Sequence, residues 1–399
     1  MKNIIIKKVL FLLAISFLLF SLNINIPITS IKFFISSTET NNQKFWVGEN
    51  HKIIIKKFPY NSEEKIFFKK LNNNIVLSYN NNLLMKSNGR ECLTAYTNIN
   101  RIHSTKCFVI YNTPKLIFQE KNPLKIETNS FKYLNLQKND YPKSYIKYKS
   151  NHPEIIKIND KGKIIALRPG RAIITAWGLD NINTQINVTS ICNNGLLTND
   201  ILDINYAQNY NNLMIVSHPD DETLWGGANI FKGNYFIICL TNGYNLKRAN
   251  DFTKILKFTK NSGIILKYPD VQDNIRDNWS EVSEGIKKDL YRLISYKKWN
   301  KIVTHGPDGT TGNPHHIKTC EFVTEIAKQL NKFNILYYFG KFYPKNEVPN
   351  YLQSINSKDL KIKKREVSIY KSVKKTIHRY WFHFLQYENW ILASKWKET

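Results

Sequence analysis

Along residues 40–195, apolar and polar residues alternate in short segments broken by Asn, Gly and Pro. That period of two predicts β structure. From residue 213 the pattern changes. Apolar runs at 213–217, 235–240, 264–268, 301–304 and 335–339 alternate with stretches of helical period near 247–262, 280–298 and 315–331. Strands alternating with helices predict βαβ units around a parallel sheet. Segment 360–395 reads as one or two amphipathic helices whose aromatic residues, including Trp381, Phe382, Phe384, Tyr387 and Trp390, pack on that sheet. At the other end, Lys2, Lys7 and Lys8 precede an apolar stretch over 9–28. A basic flank before about 20 apolar residues predicts a signal anchor or a cleaved signal peptide within 1–30, with the rest of the chain outside the cytoplasm.

The β-patterned region contains two halves that resemble one another. Gly89-Arg90 and Thr94-Ala95-Tyr96 match Gly170-Arg171 and Thr175-Ala176-Trp177 at the same offset. Tight strand connections need a positive or fixed φ, which accounts for the Gly and Pro positions between the strands. The order of strand, Gly turn, short strand, Pro-Gly turn and strand over 155–176 resembles the bacterial Ig-like group 2 domain. The resemblance is good over 113–190 and weak over 40–112. It implies small β-sandwiches acting as a spacer or adhesive module. The predicted fold class is thus a multidomain chain. It has an N-terminal membrane segment, Ig-like β-sandwich domains at 40–112 and 113–192, a linker near 190–212, and a C-terminal α/β Rossmann-like domain with a mainly parallel sheet at 205–399.

The chain has 399 residues and a net charge of +27, with Lys scattered through every region. Such a charge predicts attraction to an anionic cell-envelope surface, and no Arg-rich run or RNA-binding aromatic signature points to specific nucleic acid. Five Cys are too few and too odd in number for a disulfide framework. Cys92 and Cys107 lie on two candidate neighbouring strands and could pair in an oxidising compartment. Cys239 and Cys320 fall inside apolar segments as buried thiols.

The chemistry is concentrated at the ends of the apolar runs. His218-Pro219-Asp220-Asp221-Glu222 follows the first, Thr241-Asn242-Gly243 the second, Tyr268-Pro269-Asp270 the third, and His305-Gly306-Pro307-Asp308 the fourth, leading to Gly312-Asn313-Pro314-His315-His316. In a parallel sheet these ends share one edge, where ligands bind. Two imidazoles and a carboxylate suit Zn²⁺ with one position left for water, whose pKa the metal lowers to about 7. His218, Asp221 and His316 are the expected ligands. Asp220, beside a ligand, is the expected general base. Asn313, His315 and His305 are candidate donors to the oxyanion.

His218-Pro219-Asp220-Asp221-Glu222 together with Gly312-Asn313-Pro314-His315-His316 resembles the LmbE/PIG-L superfamily of zinc-dependent N-acetylglucosamine de-N-acetylases, over about 210–395. The resemblance implies His218, Asp221 and His316 as zinc ligands, Asp220 as general base and Arg248 as a substrate-binding residue. Asn242 and His305 join the expected substrate-binding set. Arg248 and Asp251 could equally form only a helix ion pair, and Thr241-Asn242-Gly243 only a turn. One departure stands out: Asn313 occupies the place of the family's first His in its second motif. Asn can donate a hydrogen bond but cannot supply a proton, and His315 is the expected substitute. The expected activity is zinc-dependent hydrolysis of the N-acetyl group of an N-acetylhexosamine unit in an envelope glycan or glycolipid. The alternative is a catalytically weak or inactive surface protein that binds glycans.

Overall fold

A computed structural model describes residues 26–35, 44–137 and 145–398. The chain divides into two units that interleave along the sequence. The first takes 1–119, 135–149 and 175–185, and the second takes 120–134, 150–174 and 186–399.

The first unit is built from two four-stranded sheets. One runs in the order Ser30–Ile35, Asn50–Phe58, Asn82–Met85, Ile75–Leu77, and the other Phe45–Trp46, His103–Tyr111, Gly89–Tyr96, Phe67–Lys70. Alternation decides which side chains enter the core: Glu91, Leu93 and Ala95 are buried along one strand while Arg90 is exposed. Cys92 faces Cys107 in the antiparallel register of that strand and its neighbour, and the two form a disulfide.

The second unit contains two small groups of β pairings. Leu124–Glu127 pairs in parallel with the end of Asn183–Ile191, and Phe131–Tyr133 and Ile156–Ile158 flank Lys163–Ala166 antiparallel. A six-stranded sheet follows, in the order Ser262–Tyr268, Tyr235–Thr241, Asn212–Val216, Lys301–Thr304, Leu336–Phe339, Trp390–Leu392. Neighbours among the first five strands run parallel, and the last is antiparallel to its neighbour, with Trp390 opposite Phe339. Successive residues of the central strand bury on opposite faces. Leu213 and Ile215 enter a core with Leu290, Leu293, Val323 and Ile326. Met214 and Val216 enter another with Leu224, Phe252, Ile255 and Val367. Helices Asp221–Phe231, Leu246–Thr259, Ser283–Ser295, Pro314–Gln329 and Ser357–Ile369 supply those partners.

The predicted fold class is corrected. The described chain is rich in β structure divided among seven sheets, with eight α-helices among the described residues. The last sheet ends in an antiparallel edge strand. Segment 360–395, read as one or two amphipathic helices, holds most of helix Ser357–Ile369 and the short helix Lys374–Tyr380, and then the edge strand Trp390–Leu392. Of its aromatic residues, Phe382 and Phe384 lie in a 3-10 turn and Trp390 in that strand. A Rossmann-like class is therefore not retained. Most of the expected membrane segment lies outside the described residues. Its last position, Ile28, is fully buried in the β core of the first unit, with its N–H donated to Glu64 Oε2 at 2.7 Å. Among the described residues no helix is long and apolar enough to cross a membrane.

Candidate metal centre

Strands Asn212–Val216, Tyr235–Thr241, Ser262–Tyr268 and Lys301–Thr304 deliver their following loops to one edge of the sheet, and the site is assembled there. After Val216 the chain turns sharply into helix Asp221–Phe231. Asp220 makes the turn at φ 122° and ψ −25°, a conformation costly for a residue with a Cβ, on the order of 1–3 kcal/mol. Its surroundings hold it there. The Asp220 N–H donates to Glu222 Oε2 at 3.2 Å, and Glu222 Oε1 accepts from the Tyr370 hydroxyl at 2.6 Å and from Thr223 Oγ1 at 2.8 Å. Asp221 Oδ2 accepts the His218 N–H at 2.8 Å, so the first turn carries its own brace.

His316 enters from helix Pro314–Gln329. Asn313 caps that helix, its Oδ1 accepting the His315 N–H at 3.0 Å. His316 Nδ1 donates to the Gly309 carbonyl at 3.0 Å, which leaves Nε2 with its lone pair free. Gly309 holds φ +68°, and a Cβ there would meet Ile317 Cγ1 at 2.7 Å.

His218 Nδ1, Asp221 Oδ2 and His316 Nε2 lie 3.0, 3.3 and 3.4 Å from one another. A four-coordinate ion with ligand distances of about 2.0–2.2 Å separates its ligand atoms by about 3.3–3.6 Å. These three buried side chains could hold a metal ion. On the far side of the ring, His218 Nε2 lies 3.4 Å from Asp270 Oδ1. A carboxylate behind a ligating His fixes its tautomer and raises its basicity. Asn242 Nδ2 donates to Asp270 Oδ2 at 2.9 Å and to Thr241 Oγ1 at 2.8 Å. A second set, His218, Asp270 and His315, also meets the spacing for an ion. There the Arg276 guanidinium already supplies a cation, with Nη1 3.1 Å from Asp270 Oδ1, 3.3 Å from His218 Nε2 and 3.4 Å from His315 Nδ1.

Electrostatics follow from burial set against these neighbours. Burial opposes the charge on His218, but Asp221 and Asp270 outweigh it and lift the imidazole to about 9. Binding an ion therefore displaces a proton. Burial would raise Asp221, yet His316 and the hydrogen bond from His218 hold it well below the usual carboxylate range. Asp220 moves the other way. Burial raises it against the pull of Arg248, and the carboxylates of Asp221 and Glu222 add to the rise. Asp270 is held low, the effect of burial being overcome by His218 and Asn242.

A cavity of ≈ 250 Å³ opens onto this group, lined by His218, Asp220, Asp221, His316, Arg248 and Asn313 among others. Arg248 Nη2 donates to Asp220 Oδ1 at 3.2 Å and to the Pro219 carbonyl at 2.6 Å. Of the expected site residues, His305, His315 and Asn242 do not line the cavity. His305 is fully buried, stacked on His316 with centroids 3.8 Å apart. His315 is stacked on Trp279 at 4.1 Å, and its Nε2 donates to the Asp277 carbonyl at 2.6 Å. Burial and the neighbouring imidazole push each of these two rings down to about 3. Both stay neutral, so neither is a proton donor to substrate. Asn242 acts on Asp270. Sequence reasoning missed Asp270 as a partner of His218, although its place at a strand end was visible. It also missed Arg276, Trp225 and Trp381, for which no pattern in the chain offers a signal.

No family model matches the chain. The Uncharacterized protein L374 of Acanthamoeba polyphaga mimivirus is 27% identical over 157 residues, covering 35% of this chain. The chain spans 65% of the length of that relative. Domains 4 and 5 of the S-layer protein SbsC align over 41% of this chain and 99% of that one, at 9% identity and a TM-score of 0.21. The C-terminal 282-residue fragment of intimin, in complex with the intimin-binding domain of its translocated receptor, aligns over 41% of this chain and 64% of that one, at 13% identity and a TM-score of 0.22. Sidekick-1 immunoglobulin domains 1–5 align over 41% and 39%, at 10% identity and a TM-score of 0.23. Likeness at this level establishes neither fold nor function for the chain. The LmbE/PIG-L resemblance rests on the motifs alone.

Proposed function

We propose that the protein is a zinc-dependent amidohydrolase that removes acetyl from an N-acetylhexosamine unit, releasing acetate and a free amine. The observation that carries this reading is the meeting, in one cavity, of His218, Asp221 and His316 with Asp220 and Arg248. Two neutral nitrogens and one carboxylate match the donor preference of zinc. When bound, zinc supplies a Lewis acid for the amide carbonyl and lowers the pKa of water to about 7.

The protein's own residues do the rest. Asp220, braced at its turn and raised by burial, accepts the proton of the attacking water and can return it to the departing amine. Arg248 fixes the Asp220 carboxylate through Oδ1. Among the described residues Arg248 Nε and Trp225 Nε1 are buried without a hydrogen-bond partner, and both residues line the cavity. Two such donors suit the oxygens of a sugar, which would satisfy them. Asn313 has its carbonyl committed to the helix cap, leaving its amide NH₂ as the oxyanion donor. The Cys92–Cys107 disulfide supports an oxidising, extracytoplasmic compartment.

The test is acetate release from N-acetylglucosamine conjugates by the zinc-loaded full chain. The wild type is expected to release acetate, and Asp220→Asn to lose about 10²–10⁴-fold in kcat while keeping its zinc. Equal rates for the two, or release from neither, would overturn the assignment.

A further inference from the structure

The site cavity does not end at the metal ligands. Arg276, which lines it, also lines a second groove of ≈ 410 Å³ within the same unit. One wall of that groove comes from the β segments before the six-stranded sheet, with Lys125, Asn151, Arg171 and Asn187. The other comes from hairpin residues Gln272 to Asp277. The hairpin is fastened to the β wall. Gln272 Oε1 accepts the Arg171 N–H at 3.2 Å and its Nε2 donates to the Arg171 carbonyl at 2.8 Å. His152 Nε2 lies 3.1 Å from Asp273 Oδ2. A groove held in this way is formed before a ligand arrives, which lowers the ordering cost of binding.

Its charge is balanced. Lys125 pairs with Glu281 at 2.7 Å, Arg171 with Asp277 at 3.8 Å, and Arg276 with Asp270 at 3.1 Å. Each lining cation thus has its own acidic partner, so the groove offers no net attraction to a polyanion despite the charge of +27 on the whole chain. Asn151, Asn187 and Thr189 remain beside the apolar Pro123, Ile173 and Ile275, which suit a neutral ligand that carries polar groups on an apolar ring face.

We propose that this groove binds the remainder of a neutral chain of acetamido sugars whose reacting unit occupies the metal-site cavity, with Arg276 at the junction. The proposal rests on the amidohydrolase reading for the orientation of the chain, and it makes the β segments part of the substrate site rather than a spacer.

The test is the dissociation constant of monomeric N-acetylglucosamine and of its β-1,4-linked tetramer, measured by calorimetry on the full chain. Wild type is expected to bind the tetramer at least 10-fold more tightly than the monomer. Asn187→Trp, which fills the groove from an exposed strand position, is expected to abolish that advantage, and Arg171→Glu to reduce it. Equal affinities in wild type, or a tetramer advantage that survives both substitutions, would overturn the proposal. Because the readout is binding, a protein that releases no acetate but shows the length-dependent affinity retains the groove assignment and loses only the hydrolase reading.

Discussion

The imidazole of His305 lies parallel to that of His316, with centroids 3.8 Å apart and planes 12° from one another. The Ser217 N–H donates to His305 Nε2 at 3.1 Å, so His305 is both a floor for a metal ligand and an acceptor for the loop that carries His218. His305→Phe keeps an aromatic floor but leaves that buried N–H unpaired. The expected cost is about 1–3 kcal/mol of stability, read by chemical denaturation. An unchanged unfolding midpoint would show that the hydrogen bond contributes nothing.

Asp270 stands behind His218 as the carboxylate that orients it. Asp270→Asn keeps the shape and removes the charge. Metal affinity is expected to fall about 10–100-fold, measured by competition with a chelator. An affinity equal to that of wild type would mean that the 3.4 Å approach has no influence on the ligand.

Glu366 is fully buried, and neither carboxylate oxygen has a hydrogen-bond partner among the described residues. Burial, then the nearby Glu388, pushes it up to about 9 against the pull of Lys363. Folding raises this pKa from its ordinary value of 4.5, so the folded chain holds a proton that the unfolded chain has released between about 4.5 and 9. The favourable contribution is complete below the lower value and is lost as pH rises through the window. Glu366→Gln is expected to stabilise the protein at pH 8, on the order of a few kcal/mol, with the gain shrinking toward pH 5. Thermal unfolding across that range checks the sign. A destabilised variant at pH 8 would contradict the assignment of a neutral Glu366.

The Cys92–Cys107 disulfide closes a separation of 15 residues in the first unit. Replacing both Cys by Ser is expected to cost about 3 kcal/mol in the stability of that unit, resolved by denaturation. Bound metal should be unchanged, since every expected ligand belongs to the second unit. Loss of metal in that variant would contradict a metal site built from residues of the second unit alone.

Much of the site was legible in the chain because it sits where apolar runs end. The runs at 213–217, 235–240 and 301–304 coincide closely with strands, and side chains following them meet at the site. His218, Asp221 and His316 could be selected by donor type and by the one-sided facing of residues on a first helical turn. The same rule should have separated His315 from His316. Adjacent helical residues point about 100° apart, and His315 turns onto Trp279 while His316 faces the cavity. Asn242 sits in a turn at φ 69°, and only the fold reveals that its amide serves Asp270. Arg276 lies in a two-residue strand of a short hairpin, where no periodicity exists to read. The fold class failed for a different reason. Alternation identifies strands but not their partners, so the division of the described β structure among seven sheets could not be read from the chain.

The metal content of the purified full chain tests the common centre most directly. Mass spectrometry of wild type is expected to find one tightly held divalent ion per chain, and His316→Ala to lose it while remaining folded by circular dichroism. A wild type that holds no ion after loading and dialysis, or a His316→Ala that retains a full equivalent, would contradict a site made by His218, Asp221 and His316.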